Sequence, residues 1–229
     1  NNNYGNIIYK QAAPPIQPVK TPPVPPPPPP GFVGRANELA TLKKLITAKT
    51  SAAVFGPEGI GKSALLKKAA TDNATPNGVV FVEGADGNGT ALGLDDVVQS
   101  LFDQLFVSTP KRKVTVASAR PHLSNTRPLV LLDGLQLSPA ALETIAGLFP
   151  QSPKLIAGKM VLGNIARPLK LNPLPRADAV NLIRSRLGLT EGTPLPLLEP
   201  ICQLLGDVPL AITTVADAMI ANNLAPDLV

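Results

Sequence analysis

Ser51-Ala52-Ala53-Val54-Phe55-Gly56-Pro57-Glu58-Gly59-Ile60-Gly61-Lys62-Ser63 decides the fold. A short apolar run ends in a glycine-rich loop, and helical spacing resumes from Ser63 to Ala70, so the order is strand, loop, helix. Upstream, Asn37 to Ile46 puts Leu39, Leu42, Leu45 and Ile46 on one helical face. Downstream, the apolar runs Gly78 to Val82, Leu129 to Leu132 and Leu155 to Ala157 alternate with helical patterns over Leu94 to Val107 and Ala140 to Leu148. Strands that are apolar on both faces and separated by helices predict a parallel sheet covered on both sides, a doubly wound α/β domain. From about Leu174 the strand signal stops, and Arg176 to Leu187, Leu195 to Leu205 and Leu210 to Asn222 predict a small all-α domain.

Composition agrees with a folded body behind a tail. Of 229 residues, 44% are hydrophobic and 16% charged, which excludes disorder of the whole chain. Prolines crowd into residues 11 to 30, and Thr21 to Pro30 (TPPVPPPPPP) predicts an extended polyproline II rod. A stiff spacer is the favoured reading of that rod, with a ligand for aromatic-grooved domains as the other. The divisions are therefore residues 1–30 as tail, 31–172 as the α/β domain and 173–229 as the helical domain. The net charge of +5 is too small to argue for nucleic acid, and Lys111-Arg112-Lys113 is the densest basic run. One cysteine, Cys202, and one histidine, His122, exclude a disulfide within the chain and Cys- or His-rich metal clusters. With no apolar run long enough for a bilayer and no export signal, the expectation is a cytoplasmic protein without membrane contact, and the start at Asn1 reads as a piece of something longer.

Gly56 to Ser63 satisfies G-x-x-x-x-G-K-[ST], the P-loop. Its glycines let successive backbone N–H groups face inward at a helix N-terminus, where the dipole also favours anions. The chain from Gly56 through Pro57, Glu58, Gly59, Ile60 and Gly61 to Lys62, Ser63 and Ala64 is the expected phosphate cradle, with Lys62 reaching the β/γ oxygens and Ser63 offering its hydroxyl to Mg²⁺. A P-loop wants an acid at the end of another buried strand, and Asp133, closing Pro128-Leu129-Val130-Leu131-Leu132-Asp133, fits as the second metal-side residue. Hydrolysis needs a group to orient water. Gly134 and Leu135 follow Asp133, so Gln136 is the remaining candidate, and slow turnover is expected.

Three further stretches fit one family. Phe32-Val33-Gly34-Arg35-x-x-Glu38, Leu171-Asn172-Pro173-Leu174 with Asp178-Ala179, and Gly206-Asp207-Val208-Pro209-Leu210-Ala211 resemble the NB-ARC/AP-ATPase and NACHT group, the signal-transduction ATPases with numerous domains (STAND). The resemblance runs from Gly31 to about Asn222. It implies an ATP/ADP switch in which Phe32, Val33, Gly34 and Arg35 lie along the adenine and Pro209 and Leu210 pack on it from the helical domain. Lys159 stands where the family has an Arg that senses the γ-phosphate; a strand-end surface lysine is the other reading. The family also implies a winged helix, repeats and an effector elsewhere in a longer chain, and oligomerisation on activation.

The departures are specific. Asp133-Gly134-Leu135-Gln136-Leu137 lacks the acids of the NACHT pattern D-G-x-D-E, and Gly134 replaces the second Asp common in the AP-ATPase form. The alternative reading is an AAA-type or origin-recognition-like ATPase that works on DNA. The sequence gives that reading no acidic pair after the central strand and only a short basic run. A non-enzymatic scaffold is disfavoured by intact Gly61, Lys62, Ser63 and Asp133. No Asn-Lys-x-Asp motif for guanine is present, so the expected ligand is an adenine nucleotide with Mg²⁺.

Overall fold

The structure, a computed structural model, describes residues 15–158, 165–189 and 198–222. The sheet is built of β2 (Ala52–Phe55), β3 (Val79–Glu83), β5 (Leu129–Asp133), β6 (Lys154–Gly158) and β7 (Arg167–Lys170), in the spatial order β3-β5-β6-β2-β7. Every pairing in it is parallel. Strand β6 therefore separates β2, which leads into the P-loop, from β5, which ends at Asp133.

Alternation along the strands divides the core into two layers. Val80, Val82, Val130, Leu132 and Ile156 pack on one face with residues of α3 (Leu94–Leu105), α4 (Val116–Leu123) and α5 (Pro139–Leu148). Val79, Leu129, Leu131, Leu155 and Ala157 pack on the other with α1 (Ala36–Thr47) and α2 (Lys62–Asp72). A sheet buried on both faces is what the continuous aliphatic runs demand. A third apolar cluster joins α6 (Arg176–Leu187), α7 (Leu198–Leu204) and α8 (Pro209–Ala221) around Ile183, Leu198, Cys202 and Ile212. The expected doubly wound α/β fold with a helical portion behind it is present.

Several elements differ from the expectation. Strand β7 was not foreseen, because Arg167-Pro168-Leu169-Lys170 has only one half-buried aliphatic and holds its edge position through backbone pairing with β2. Helix α4 was not foreseen either: it is short, carries Pro121 inside it, and starts from a Thr115 hydroxyl that accepts a hydrogen bond from Ser118 N–H. Helix α3 stops at Leu105, and Phe106–Val107 form a short strand, β4, because they pair antiparallel with Gln17–Pro18, β1.

That last pairing sets the described part of the tail against the body, which the stiff-spacer expectation did not include. Residues 15–30 lie on the body: Val19 N–H donates to Leu105 O at 2.9 Å, and Val79 N–H donates to Pro23 O at 2.8 Å. Strand β3 is the sheet's edge, and its outward groups are covered by local partners. Pro23 takes the Val79 amide, and the Gln104 side-chain amide accepts from Phe81 N–H and donates to Phe81 O, both at 2.9 Å.

Candidate functional site

The P-loop curls because three of its glycines sit at positive φ, Gly56 at 151°, Gly59 at 74° and Gly61 at 95°. Side chains there would also collide: a Cβ on Gly56 would lie 2.8 Å from Leu171 O, and one on Gly59 would lie 2.8 Å from Leu210 Cβ. Gly61 is the residue before α2, so the loop opens at a helix N-terminus. Lys62 Nζ donates to Gly56 O at 3.0 Å and Pro57 O at 2.7 Å. These bonds hold the ammonium on the loop it belongs to.

Ser63 and Asp133, seventy positions apart, meet across the sheet top. Ser63 Oγ donates to Asp133 Oδ1 at 2.9 Å. Asp133 is only 4% exposed, and its Oδ2 is buried with no hydrogen-bond partner. Burial pushes this carboxyl above the ordinary aspartate range; the Ser63 bond and the positive charges of Lys67 and Lys62 oppose the rise, and Glu83 adds to it. An orphaned carboxylate oxygen next to a hydroxyl is a donor set that suits a hard divalent cation. Among the described residues no group of three or more His, Cys, Asp or Glu gathers to hold a metal unaided, so a cation here would draw further ligands from phosphate and water.

A cavity of about 920 Å³ runs from this pair toward the helical portion. Of the residues singled out in the sequence, Phe32, Val33, Arg35, Glu58, Gly59, Ile60, Gly61, Lys62, Ser63, Ala64, Asp133, Gln136, Pro209 and Leu210 line it. Gly56 and Pro57 stand behind the loop, where their carbonyls hold Lys62. Gly34, at φ 66°, is also outside the lining and lies against the Asp178 carboxylate, where any side chain would clash. Lys159 lies outside the described residues.

The motifs that bracket the P-loop are joined to it by hydrogen bonds. Arg35 is 5% exposed; one guanidinium nitrogen donates to Ile60 O and another pairs with Glu38, both at 3.0 Å. This buried arginine ties the start of α1 to the cradle. From the other side, Leu210 N–H donates to Gly59 O at 3.1 Å, a direct bond from the first turn of α8 into the P-loop. The corner before α8 is fixed in turn: Leu174 N–H donates to Asp207 O at 3.0 Å, and Arg176 grips the Asp207 carboxylate with two nitrogens at 2.8 and 2.9 Å. The stretches around Leu174 and Asp207 thus meet each other.

Some lining residues were not expected at the site. Pro29 and Pro30 of the rod and Leu174 of the motif at Leu171 join the lining, as do Leu182 and Thr213, which no sequence motif marks. Thr213 follows Pro209 by one helical turn and Leu182 lies on the buried face of α6, so spacing could have found both. Glu83 pairs in register with Asp133 at the end of the neighbouring strand, and Lys67 follows Ser63 by four positions. The two charges beside the carboxylate were therefore readable once the strand order was known.

The chain's likeness to solved structures is one of fold. A Walker-type ATPase of Pyrococcus abyssi matches with a TM-score of 0.64 at 14% identity, over 87% of this chain and 71% of that one. A STAND protein with a tetratricopeptide repeat sensor from Pyrococcus horikoshii matches with a TM-score of 0.51 at 17% identity, over 83% of this chain and 30% of that one. Drosophila ORC bound to DNA matches with a TM-score of 0.52 at 18% identity, over 86% of this chain and 58% of that one. No protein-family model matches the chain, and no curated protein does. Among the described residues no helix is long and apolar enough to cross a membrane. With the glycine cradle, the Ser63–Asp133 pair and the parallel sheet that positions them, these likenesses establish the P-loop NTPase fold.

Proposed function

We propose that the chain is the nucleotide-binding part of a STAND-type regulatory switch that takes ATP or ADP with Mg²⁺ and hydrolyses ATP slowly. The observation that carries this reading is the Leu210 N–H to Gly59 O bond, because it makes the helical portion part of the phosphate loop's own wall. A ligand that touches both sides biases their relative position, which is what a switch requires. We take residues 31–172 and 173–229 as the two parts, with the nucleotide between them.

In this reading the loop amides from Gly59 to Ala64 hold the phosphates and Lys62 exchanges its carbonyl partners for phosphate oxygens. Ser63 and Asp133 would hold Mg²⁺, which when bound neutralises charge on the phosphate chain. Phe32, Val33, Pro209 and Leu210 offer the base apolar surface. Arg35, already committed to Ile60 O and Glu38, shapes the loop rather than contacting the ligand. Adenine is favoured by the resemblance and because the sequence holds no Asn-Lys-x-Asp motif to read guanine. Gln136 lines the cavity near Asp133 and is the residue that orients water. Gly134 leaves the position after Asp133 without a side chain, so turnover should fall below the roughly 1 to 10³ s⁻¹ of metabolic enzymes. A steady-state assay with ATP, ADP and GTP tests this: slow ATP turnover with GTP as a poor competitor is expected, and many turnovers per second would contradict the switch reading.

The rival reading, a DNA-associated ATPase, needs a free basic face. Lys111 of the densest basic run is instead paired with Asp103 at 2.8 Å. Salt-sensitive retention of DNA on a filter would favour the rival.

A further inference from the structure

Only Pro29 and Pro30 of the proline rod line the nucleotide cavity; the rest of it lies outside. From Pro23 to Pro28 its exposure repeats every three residues: Val24 and Pro27 face solvent, while Pro23, Pro25, Pro26 and Pro28 are half-buried; beyond them Pro29 and Pro30 are both exposed. Three is the period of a polyproline II helix, so over these six residues two of the three ridges lie against the body and one is free. The rod is anchored at both ends. At the start, Ile16 packs on the cluster formed by α3 and α4, β1 pairs with β4, and Pro23 O takes the edge amide of Val79. At the end, Pro29 and Pro30 line the nucleotide cavity beside Leu182 and Thr213, and Gly31 approaches Ser185 of α6.

We propose that residues 15–30 are a strap that forms part of the nucleotide site, so that a bound adenine nucleotide and the docked strap stabilise each other. Pro29 and Pro30 are its ligand-facing residues, lining the cavity with rigid rings that need no ordering when the ligand arrives. The sheet-edge contacts are its remote half. Because one stiff rod connects the two, release at either end lowers the occupancy of the other. The coupling is reciprocal: the factor by which the docked strap raises nucleotide affinity is the factor by which nucleotide raises docking. The inference rests on the nucleotide reading above, and its test separates the two.

The experiment uses the full chain, its Pro29→Gly/Pro30→Gly form and its Ile16→Ser form, with thermal unfolding to establish that each is folded. Ile16 does not line the cavity, so its substitution reports on coupling alone. Calorimetry with ADP should show affinity reduced by about tenfold in both forms. Hydrogen exchange at the Val79 amide, whose acceptor is on the strap, should slow by a similar factor when ADP saturates the unmodified chain. ADP affinities within about twofold of the unmodified chain in both variants, with Val79 exchange indifferent to ADP, would overturn the strap while leaving the nucleotide site standing. A flat calorimetric trace for the unmodified chain would remove the nucleotide reading, and the strap's ligand with it.

Discussion

The two ends of the cavity are built by opposite means. The phosphate end is made of eight consecutive residues, Gly56 to Ser63, together with Asp133, and works through backbone amides at a helix start. The apolar end is assembled from three separate segments, represented by Val33, Leu182 and Leu210, and works through side-chain surface. A local site made of backbone survives almost any change elsewhere. A site gathered from distant side chains depends on how the parts are held, and here that is the task of Arg35, Arg176 and the Leu210 to Gly59 bond.

Lys62→Ala is the hardest test of the phosphate end. It removes a charge-assisted contact to the ligand and should weaken ADP binding by about a hundredfold, read by calorimetry. Near-normal affinity would mean that the loop is not the binding site. At the apolar end, Leu210→Ala removes surface from a side chain that is 55% exposed, lines the cavity and keeps its backbone bond to Gly59. A loss of about fivefold is expected from the area removed. If the two substitutions cost the same, the division of labour between the ends is wrong.

Asp133→Asn has the smallest expected effect on ADP alone and the most informative sign. Folding raises the Asp133 pKa above the ordinary value of 3.8, so the native state binds the proton more tightly than the unfolded chain. Stability without nucleotide therefore falls as pH rises from the unfolded pKa through the folded one, and the ionised carboxylate is a liability at neutral pH. Asn keeps an acceptor for the Ser63 hydroxyl and carries no charge. The variant should have a higher Tm than the parent at pH 7 in the absence of ligand, converging toward it in acid, and should lose the Mg²⁺ enhancement of ATP binding. A lower Tm at pH 7 would show that the orphaned oxygen is not strained by burial.

Legibility followed the same division. The P-loop, Asp133 and the aliphatic strands were readable because each is a local pattern with a physical cause: glycines for the loop, continuous apolarity for strands covered on both faces. Strand β7 was not, since Arg167 to Lys170 earns its place by backbone pairing along β2 and needs no apolar pattern. The buried state of Arg35 was hidden because its acceptor, Ile60 O, is a backbone atom twenty-five positions away. The proline segment misled in another way. Its composition predicts a rod, but no composition says whether a rod projects or lies down, and Pro23 O on Val79 N–H is a tertiary fact. Glu83 and Lys67 acquire meaning only from the strand order that brings them beside Asp133.

If one purine nucleotide binds between the phosphate loop and the first turn of α8, calorimetric titration of the nucleotide-free, folded chain with ADP will register it. Saturable binding of one ADP per chain is expected, with GDP far weaker; heats no larger than dilution for both nucleotides would mean that no purine nucleotide binds there.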